Sequence, residues 1–203
     1  MGYMLTNTAA TTAAVANRIV TTTNMKNGDY TIVNGGVPVW SGAALISVTH
    51  TQVGGVTDAL GTITITGTDL SGQTRTEVIT PSTGTVAYGT VPFRTVTLVT
   101  GAGWTRDAGA GSEDTIVVGV AAGNIACGSS GSLGGVLVNN AVAATVTISH
   151  AAGTIMVIPS SQAAGTYYNL GGVNFAGFLK IATTNTNDLT VFHTGTMPST
   201  YSM

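Results

Sequence analysis

Three histidines are the first candidates for chemistry, because an imidazole can act as a general base or as a metal ligand near neutral pH. His50, His150 and His193 are widely separated in the sequence, and no two of them have the short spacing that pre-forms a metal pair. Each lies in or at the end of an alternating segment, where a surface or interface histidine is commoner than a ligand. The sequence therefore predicts no metal site.

An acidic loop is the second candidate. Asp107, Glu113 and Asp114 flank a glycine-rich stretch, with Arg106 beside them. Carboxylate and carbonyl oxygens bind Ca²⁺, but this spacing does not match the EF-hand pattern, so a solvated turn is favoured. A carboxylate pair for glycoside hydrolysis stays open as an alternative, although the chain has only 8 acidic residues. No G-x-S-x-G elbow or phosphate-binding glycine loop occurs. We therefore expect no catalytic residues and no cofactor.

Aromatic side chains are the third candidate, because carbohydrate binding depends on exposed rings. The available platforms are Trp40, Trp104, Tyr88, Tyr167 and Tyr168. Core packing accounts for most of them equally well. They define an alternative hypothesis in which the protein stacks on sugars.

The composition excludes several classes of protein. Charged residues make up 7% of the 203 residues, against about 25% in an ordinary soluble domain. A net charge of −2 leaves no basic field for nucleic acid. A hydrophobic content of 43% argues against disorder. The single cysteine, Cys127, excludes an intrachain disulfide.

The charges are unevenly distributed. No Lys, Arg, Asp or Glu occurs among the 65 residues from Thr115 to Leu179. A monomer usually stays soluble through a mixed charged surface. A neutral surface of small polar residues (37 are Thr and 28 are Gly) suits a subunit that neighbours cover, although hydroxyl and amide groups alone can also hydrate a surface. We expect an assembly.

Most segments alternate with the period of a β-strand. In GTITITGTD, Ile63 and Ile65 alternate with threonines, which predicts a strand with an apolar inner side. A turn-rich tetrapeptide then leads into Arg75–Thr80, so the two runs predict a hairpin. The run Phe93–Thr100 predicts a strand with Phe93 and Val99 on one side and Val96 on the other. Turns recur about every 8–12 residues, which is typical of an all-β sandwich or barrel.

The sequence predicts an all-β chain of one or two antiparallel domains with an extended N-terminal arm. The arm covers residues 1–28, a β-sandwich domain covers 29–122, a Gly/Ser-rich linker covers 123–135, and a second β domain covers 136–203. The arm is expected to dock either on another chain or along its own β domain. Its candidate interface residues are Tyr3, Met4, Leu5, Val15 and Ile19.

No targeting or membrane segment is predicted. The first twenty residues have neither a basic region nor a continuous apolar stretch, so they do not resemble a signal peptide. No run reaches about 18 apolar residues. We expect neither nucleic acid nor a membrane as a partner.

The stretch from Leu60 to Val120 resembles a segment that recurs in virion structural proteins of tailed bacteriophages. The shared pattern is a strand, a TGTD-x-x-G turn, a TEVIT strand, a GT-x-x-F step, a TVT strand and a D-T-I-x-V-G strand. Its elements here are Gly67-Thr68-Asp69, Gly72, Thr76–Thr80, Gly89-Thr90 with Phe93, Thr95–Thr97 and Asp114–Gly119.

This resemblance implies a non-enzymatic component of the phage particle, assembled in the host cytoplasm and located in the virion. A capsid decoration (cement) protein is the leading expectation, with the major capsid protein or other virion proteins as partners. A homo-oligomer, preferably a trimer, would suit symmetric sites on the shell. One alternative is a tail or fibre-type protein that binds host surface glycan through Trp40, Trp104, Tyr167 or Tyr168. A hydrolase of envelope material is the other.

Overall fold

The computed structural model is all-β and antiparallel, which confirms the predicted fold class. It describes residues 4–8, 14–33, 43–55, 57–107, 112–185 and 187–194. The chain divides into two compact units. We call Ala14–Ala121 the inserted unit, and Met1–Ala13 together with Ala122–Met203 the flanking unit. The described residues contain no helix that could span a membrane.

In the described residues, each unit contains eight strands. The inserted unit contains β2 (Val15–Asn24), β3 (Gly28–Asp29), β4 (Ile46–Thr51), β5 (Thr62–Thr68), β6 (Thr74–Ile79), β7 (Val86–Tyr88), β8 (Thr95–Ala102) and β9 (Thr115–Val120). The flanking unit contains β1 (Met4–Thr8), β10 (Asn124–Cys127), β11 (Gly131–Val138), β12 (Val146–His150), β13 (Gly153–Ile158), β14 (Tyr167–Phe175), β15 (Leu179–Thr183) and β16 (Leu189–His193).

The two units have the same topology. The sheets of the inserted unit are β2-β9-β4-β7 and β3-β8-β5-β6, and those of the flanking unit are β1-β16-β11-β14 and β10-β15-β12-β13. Counted within each unit, both pairs of sheets have the strand order 1-8-3-6 and 2-7-4-5. This is the order of a double-sheet jelly roll. The inserted unit lies in the chain between the first and second strands of the flanking unit.

Each unit has its own hydrophobic core between its two sheets. In the inserted unit, Ile63 and Ile65 of β5 are fully buried, and the threonines between them lie on the outer face, as the alternation predicts. The opposite sheet contributes Val48 and Val118 to the same cluster. In the flanking unit, Leu133, Val136 and Val191 from one sheet pack with Ile148, Ile158 and Leu179 from the other.

The structure corrects the prediction of an N-terminal arm over residues 1–28. Met4–Thr8 forms β1 and pairs with β16 of the flanking unit, and Val15–Asn24 forms β2 of the inserted unit. Ile19 is 2% exposed in the core, where it cannot serve as a docking residue, and Val15 packs against that core. Two register shifts along β2 interrupt the alternation, which hid this strand in the sequence. Tyr3 lies outside the described residues, as do the side chains of Met4 and Leu5.

The structure also corrects the prediction of a linker over residues 123–135. This stretch forms β10 and the first part of β11. Its glycines permit close contacts. A Cβ on Gly135 would lie 2.4 Å from the Tyr167 hydroxyl, and Gly123 has φ +101°. The predicted second domain from 136 therefore starts within the third strand of its unit.

Candidate functional site

The three histidines are divided between the two units. His50 is the penultimate residue of β4 in the inserted unit, whereas His150 and His193 lie in different sheets of the flanking unit. His50 and His193 are 1% and 0% exposed, so neither can reach a substrate. The Nδ1 of His150 accepts a hydrogen bond from the Ala176 N–H at 3.2 Å. Each of the three histidines contacts a residue of its own unit, namely Asp114, Ala176 and Phe175 respectively.

Burial lowers the pKa of the His193 imidazole below its ordinary value. The unfolded chain therefore binds a proton more readily than the folded flanking unit does. The free energy of unfolding that the neutral His193 contributes is fully present above the unfolded pKa of about 6.5. It decreases as the pH falls through that value toward the folded pKa. We expect hydrogen exchange of peptides from residues 122–194 to accelerate between pH 7 and pH 5, after correction for the intrinsic rate. His193→Gln should flatten this dependence, and an equal slope in both proteins would contradict it.

A buried polar cluster surrounds the carboxylate of Asp114. The Nε2 of His50 donates to Oδ2 of Asp114 at 2.9 Å, and both side chains are 0% exposed. The backbone N–H groups of Val53 and Asp58 donate to the same carboxylate at 2.8 and 3.0 Å. Burial alone would raise the pKa of Asp114, but these hydrogen bonds outweigh it and hold the pKa below its ordinary value.

Asp58 is the second aspartate of this cluster. Its carboxylate accepts the backbone N–H groups of Asp114 and Asp107, both at 2.7 Å. The two aspartates therefore tie the connection between β4 and β5 to the segment that enters β9. We call this arrangement the carboxylate clamp. Its oxygens are occupied by internal donors and shielded from solvent, so the clamp stabilises the fold and has no substrate-binding surface.

The flanking unit has a related clamp at the equivalent place in its topology. Asn187 is 5% exposed and precedes β16, the eighth strand of its unit, as Asp114 precedes β9. Its Oδ1 accepts the backbone N–H of Ala143 at 2.7 Å, from the connection between the third and fourth strands. Its Nδ2 donates to the Thr183 hydroxyl at 2.6 Å. Both jelly rolls thus fix the same connection through a polar side chain before the last strand.

The acidic loop does not form a cation site in the described residues. Asp114 is committed to the clamp, and Glu113 accepts hydrogen bonds from Asn24 and Arg106 at its exposed edge. No group of three potential ligands occurs within the described part of the chain. The structure therefore brings together a pair that the sequence analysis missed, Asp58 with Asp114. Nothing in their spacing could have revealed this pair.

The aromatic candidates are divided between the two units, and Tyr88 of the inserted unit is 59% exposed. Trp104 packs against the core of the inserted unit, and Trp40 lies outside the described residues. Tyr168 donates to Oε1 of Gln162 at 2.7 Å and packs against the other core. Tyr167 is 51% exposed, with its ring edge-on to Phe192 at 5.8 Å. Only Tyr167 of the described candidates in the flanking unit presents a largely open ring.

Threonines dominate the outer face of the sheet β3-β8-β5-β6. We call it the threonine face, and its members are Thr62, Thr64, Thr66, Thr68, Thr74, Thr76, Thr95 and Thr100, with Val78 and Leu98. Register places Thr64 between Val78 and Thr100, and Thr66 between Thr76 and Leu98. Val78 and Leu98 are 60% and 41% exposed.

Hydroxyl groups on the threonine face are partly ordered by one another. The Oγ1 atoms of Thr68 and Thr95 lie 2.6 Å apart, and the Thr100 hydroxyl donates to Asp29 at 2.8 Å at the margin of the sheet. None of the ten members is charged. A neighbour that covers these ten residues and leaves the carboxylate of Asp29 at the margin in solvent avoids desolvating an ion, which is the costly step at an interface.

Residues of the pattern from Gly67 to Phe93 have structural roles. Asp69 accepts the N–H groups of Ser71 and Gln73 and the Nε of Arg75 within the hairpin turn. A Cβ on Gly67 would lie 1.9 Å from the Thr95 carbonyl oxygen. Phe93 is 0% exposed in the core. These residues define a sandwich and not a reactive site.

Comparisons of the chain with protein-family models, curated proteins and solved structures give no match.

Proposed function

We propose that this chain is a non-enzymatic structural component of a tailed-bacteriophage particle and that it decorates and cements the capsid shell. The observation that carries the proposal is the threonine face, whose ten members are uncharged and include the exposed Val78 and Leu98. Such a surface suits contact with a neighbouring subunit better than it suits chemistry.

The buried polar groups support a structural role. His50, Asp58 and Asp114 bind one another and the backbone of their own unit. These three side chains, which have the chemical character of catalysts, are thus shielded from solvent. A protein built this way acts through its shape and its contacts.

Fold-level analogy gives further support. Double-sheet jelly rolls serve as viral capsid domains and as lectin domains. The stretch that resembles phage virion proteins builds β5 to β9, which include all ten members of the threonine face. The proposed partners are the major capsid protein or other virion proteins, and the proposed unit is a homo-oligomer, preferably a trimer, placed on symmetric sites of the virion.

Removing this protein from the particle is the direct test. We expect shells that lack it to rupture at a lower temperature, or on dilution into low salt, than complete shells. Adding back the purified chain should restore resistance. Equal survival of both kinds of particle would contradict the cement role.

A surface variant tests the face itself. Thr66→Lys places a charge at the centre of the threonine face, so its occupancy on shells should decrease at least about tenfold, equivalent to about 1.4 kcal/mol. Thr22→Lys is the matched control, because Thr22 is exposed on β2 of the other sheet. Cosedimentation with depleted shells measures both. Equal occupancy would exclude this face as the contact.

The glycan-binding alternative depends on Tyr167, the exposed ring next to Phe192. Binding of the wild-type chain to purified host polysaccharide, lost in Tyr167→Ala, would favour a tail or fibre-type role. Binding to depleted shells without binding to polysaccharide would favour cementing.

A further inference from the structure

An Asn-Gly dipeptide lies where the chain turns from β2 into β3 of the inserted unit. Asn27 and Gly28 are both exposed there. Gly28 has φ +102°, and a Cβ built on it would meet no atom of the described residues within 4 Å. Asparagine is a thermolabile residue, and a following glycine leaves the next peptide nitrogen unshielded because it has no side chain. This dipeptide is therefore a candidate for a covalent change of the chain itself.

The chemistry of such a change needs only water and leaves every oxidation state as it was. The Gly28 backbone nitrogen attacks Cγ of Asn27, so an N–Cγ bond forms and the Cγ–Nδ2 bond breaks. The proton of the Gly28 nitrogen leaves with the amide as ammonia, and a five-membered succinimide remains. Water then opens this ring at either carbonyl carbon and gives aspartate or isoaspartate. Each event adds one negative charge to a chain whose net charge is −2.

The native fold engages both ends of the Asn27 amide. Its Nδ2 donates to the Trp104 carbonyl oxygen at 3.1 Å, and the Trp104 backbone N–H donates to its Oδ1 at 3.0 Å. We call this pair of hydrogen bonds the Asn27 clasp. It ties the turn between β2 and β3 to the segment that follows β8. Attack makes the planar Cγ tetrahedral and draws it toward the Gly28 nitrogen, so the clasp must open before the reaction.

The backbone on both sides of Asn27 is fixed as well. The Tyr30 hydroxyl accepts the Lys26 N–H at 2.8 Å and donates to the Lys26 carbonyl oxygen at 3.1 Å, and Tyr30 is 5% exposed. On the other side, the carboxylate of Asp29 accepts the Thr100 hydroxyl at 2.8 Å, and β3 pairs with β8. The turn therefore reaches the reactive geometry only through a local opening of the inserted unit.

The product of the reaction cannot form the same clasp. The clasp uses the donor and the acceptor of the Asn27 amide, whereas a carboxylate only accepts hydrogen bonds. An oxygen would then face the Trp104 carbonyl oxygen in the place of Nδ2, which lies 3.1 Å from it. An isoaspartate in addition lengthens the backbone by one methylene group. The reaction therefore loosens this turn permanently.

We propose that Asn27 is a modification site of this chain, at which deamidation proceeds when the clasp is open and is suppressed when the clasp is closed. The modified fraction then records how often the turn between β2 and β3 has opened. The site does not depend on the cement role, since its reactants are water and the chain's own atoms. A second Asn-Gly dipeptide, Asn34-Gly35, lies outside the described residues.

Peptide mass spectrometry of the full chain tests the proposal after incubation at mildly alkaline pH, with and without guanidinium chloride. Cleavage after Tyr30 separates Asn27 from Asn34, so each site is measured alone. Asn27 should deamidate in the unfolded chain, and its rate in the native chain should be at least about tenfold lower, because both hydrogen bonds of the clasp must break first. No product at Asn27 in the unfolded chain would overturn the site, and equal rates in both states would overturn the clasp as its gate.

Tyr30→Phe tests the gate within the folded chain. It keeps the buried ring but removes the hydroxyl that binds the Lys26 backbone. Asn27 should then deamidate at least about threefold faster in the native chain, with an unchanged rate in guanidinium chloride. Tyr88→Phe is the matched control, because Tyr88 is 59% exposed on β7, and it should keep both wild-type rates. A wild-type native rate in Tyr30→Phe, or the same acceleration in both variants, would overturn the proposal.

Discussion

Asp114→Ala should lower the free energy of unfolding of the inserted unit by about 3–5 kcal/mol, the usual cost of removing one partner of a buried ion pair or hydrogen-bonded network. The substitution leaves the Nε2 of His50 and the N–H groups of Val53 and Asp58 without their acceptor in a site closed to water. Both tryptophans of the chain belong to the inserted unit. Tryptophan fluorescence in a urea titration therefore measures this unit.

Two controls separate the clamp from general damage. Asp114→Asn keeps the shape and one acceptor oxygen, so it should cost less than the alanine variant. Asp188→Ala removes an acidic side chain that Asn139 and Asn140 contact in the flanking unit, and it should leave the fluorescence transition unchanged. A loss of less than about 1 kcal/mol in Asp114→Ala would place its carboxylate among weak surface pairs and contradict the clamp.

Local alternation predicted the strands well where nothing interrupted it. Ile63 and Ile65 are buried as predicted, and the β5–β6 hairpin is present. In β8 the prediction was wrong, since Val96 and Val99 both face the core. A register shift opposite Thr66 and Gly67 inserts Thr97 and reverses the alternation halfway along the strand. Bulges depend on the partner strand, so one strand's sequence does not reveal them.

The nested order of the two units could not be predicted from the chain. A jelly roll closes through pairs of distant strands, and the first strand of the flanking unit, β1, is separated from the second, β10, by the whole inserted unit. The polar composition of the first 28 residues suggested an arm, because strand pairing through the backbone leaves little trace in side chains. Glycines such as Gly135, which permit close packing, suggested a flexible linker.

The polar site was predicted by residue type but not by role. The sequence singled out His50 and Asp114, which the fold brings into contact, but it missed Asp58 and Asn187. Asp58 and Asn187 act through backbone donors, and any segment can supply those. Such residues are identified by the burial of a polar side chain against backbone N–H groups. This is a property of the folded unit. The sequence therefore could not separate a structural carboxylate from a catalytic one.

Phe93→Ala should lower the free energy of unfolding of the inserted unit by about 3–5 kcal/mol, because it leaves a cavity in a closed core. Phe93 is 0% exposed, and its backbone exchanges two hydrogen bonds with Ala44, both 2.9 Å long, so the chain cannot collapse into the space. Phe93→Leu keeps most of the volume and should cost less.

Phe192→Ala is the matched control for this cavity. Phe192 is half-buried beside Tyr167 in the flanking unit, so its removal should leave the tryptophan transition in place and shift only the circular-dichroism signal of the other unit. Equal shifts of the tryptophan transition in both variants would mean that the two units unfold together. No shift in Phe93→Ala would mean that the GT-x-x-F step is not a core element. This step belongs to the pattern that resembles virion proteins. A large loss in the free energy of unfolding of Phe93→Ala would therefore indicate that this part of the pattern serves folding and not a reaction.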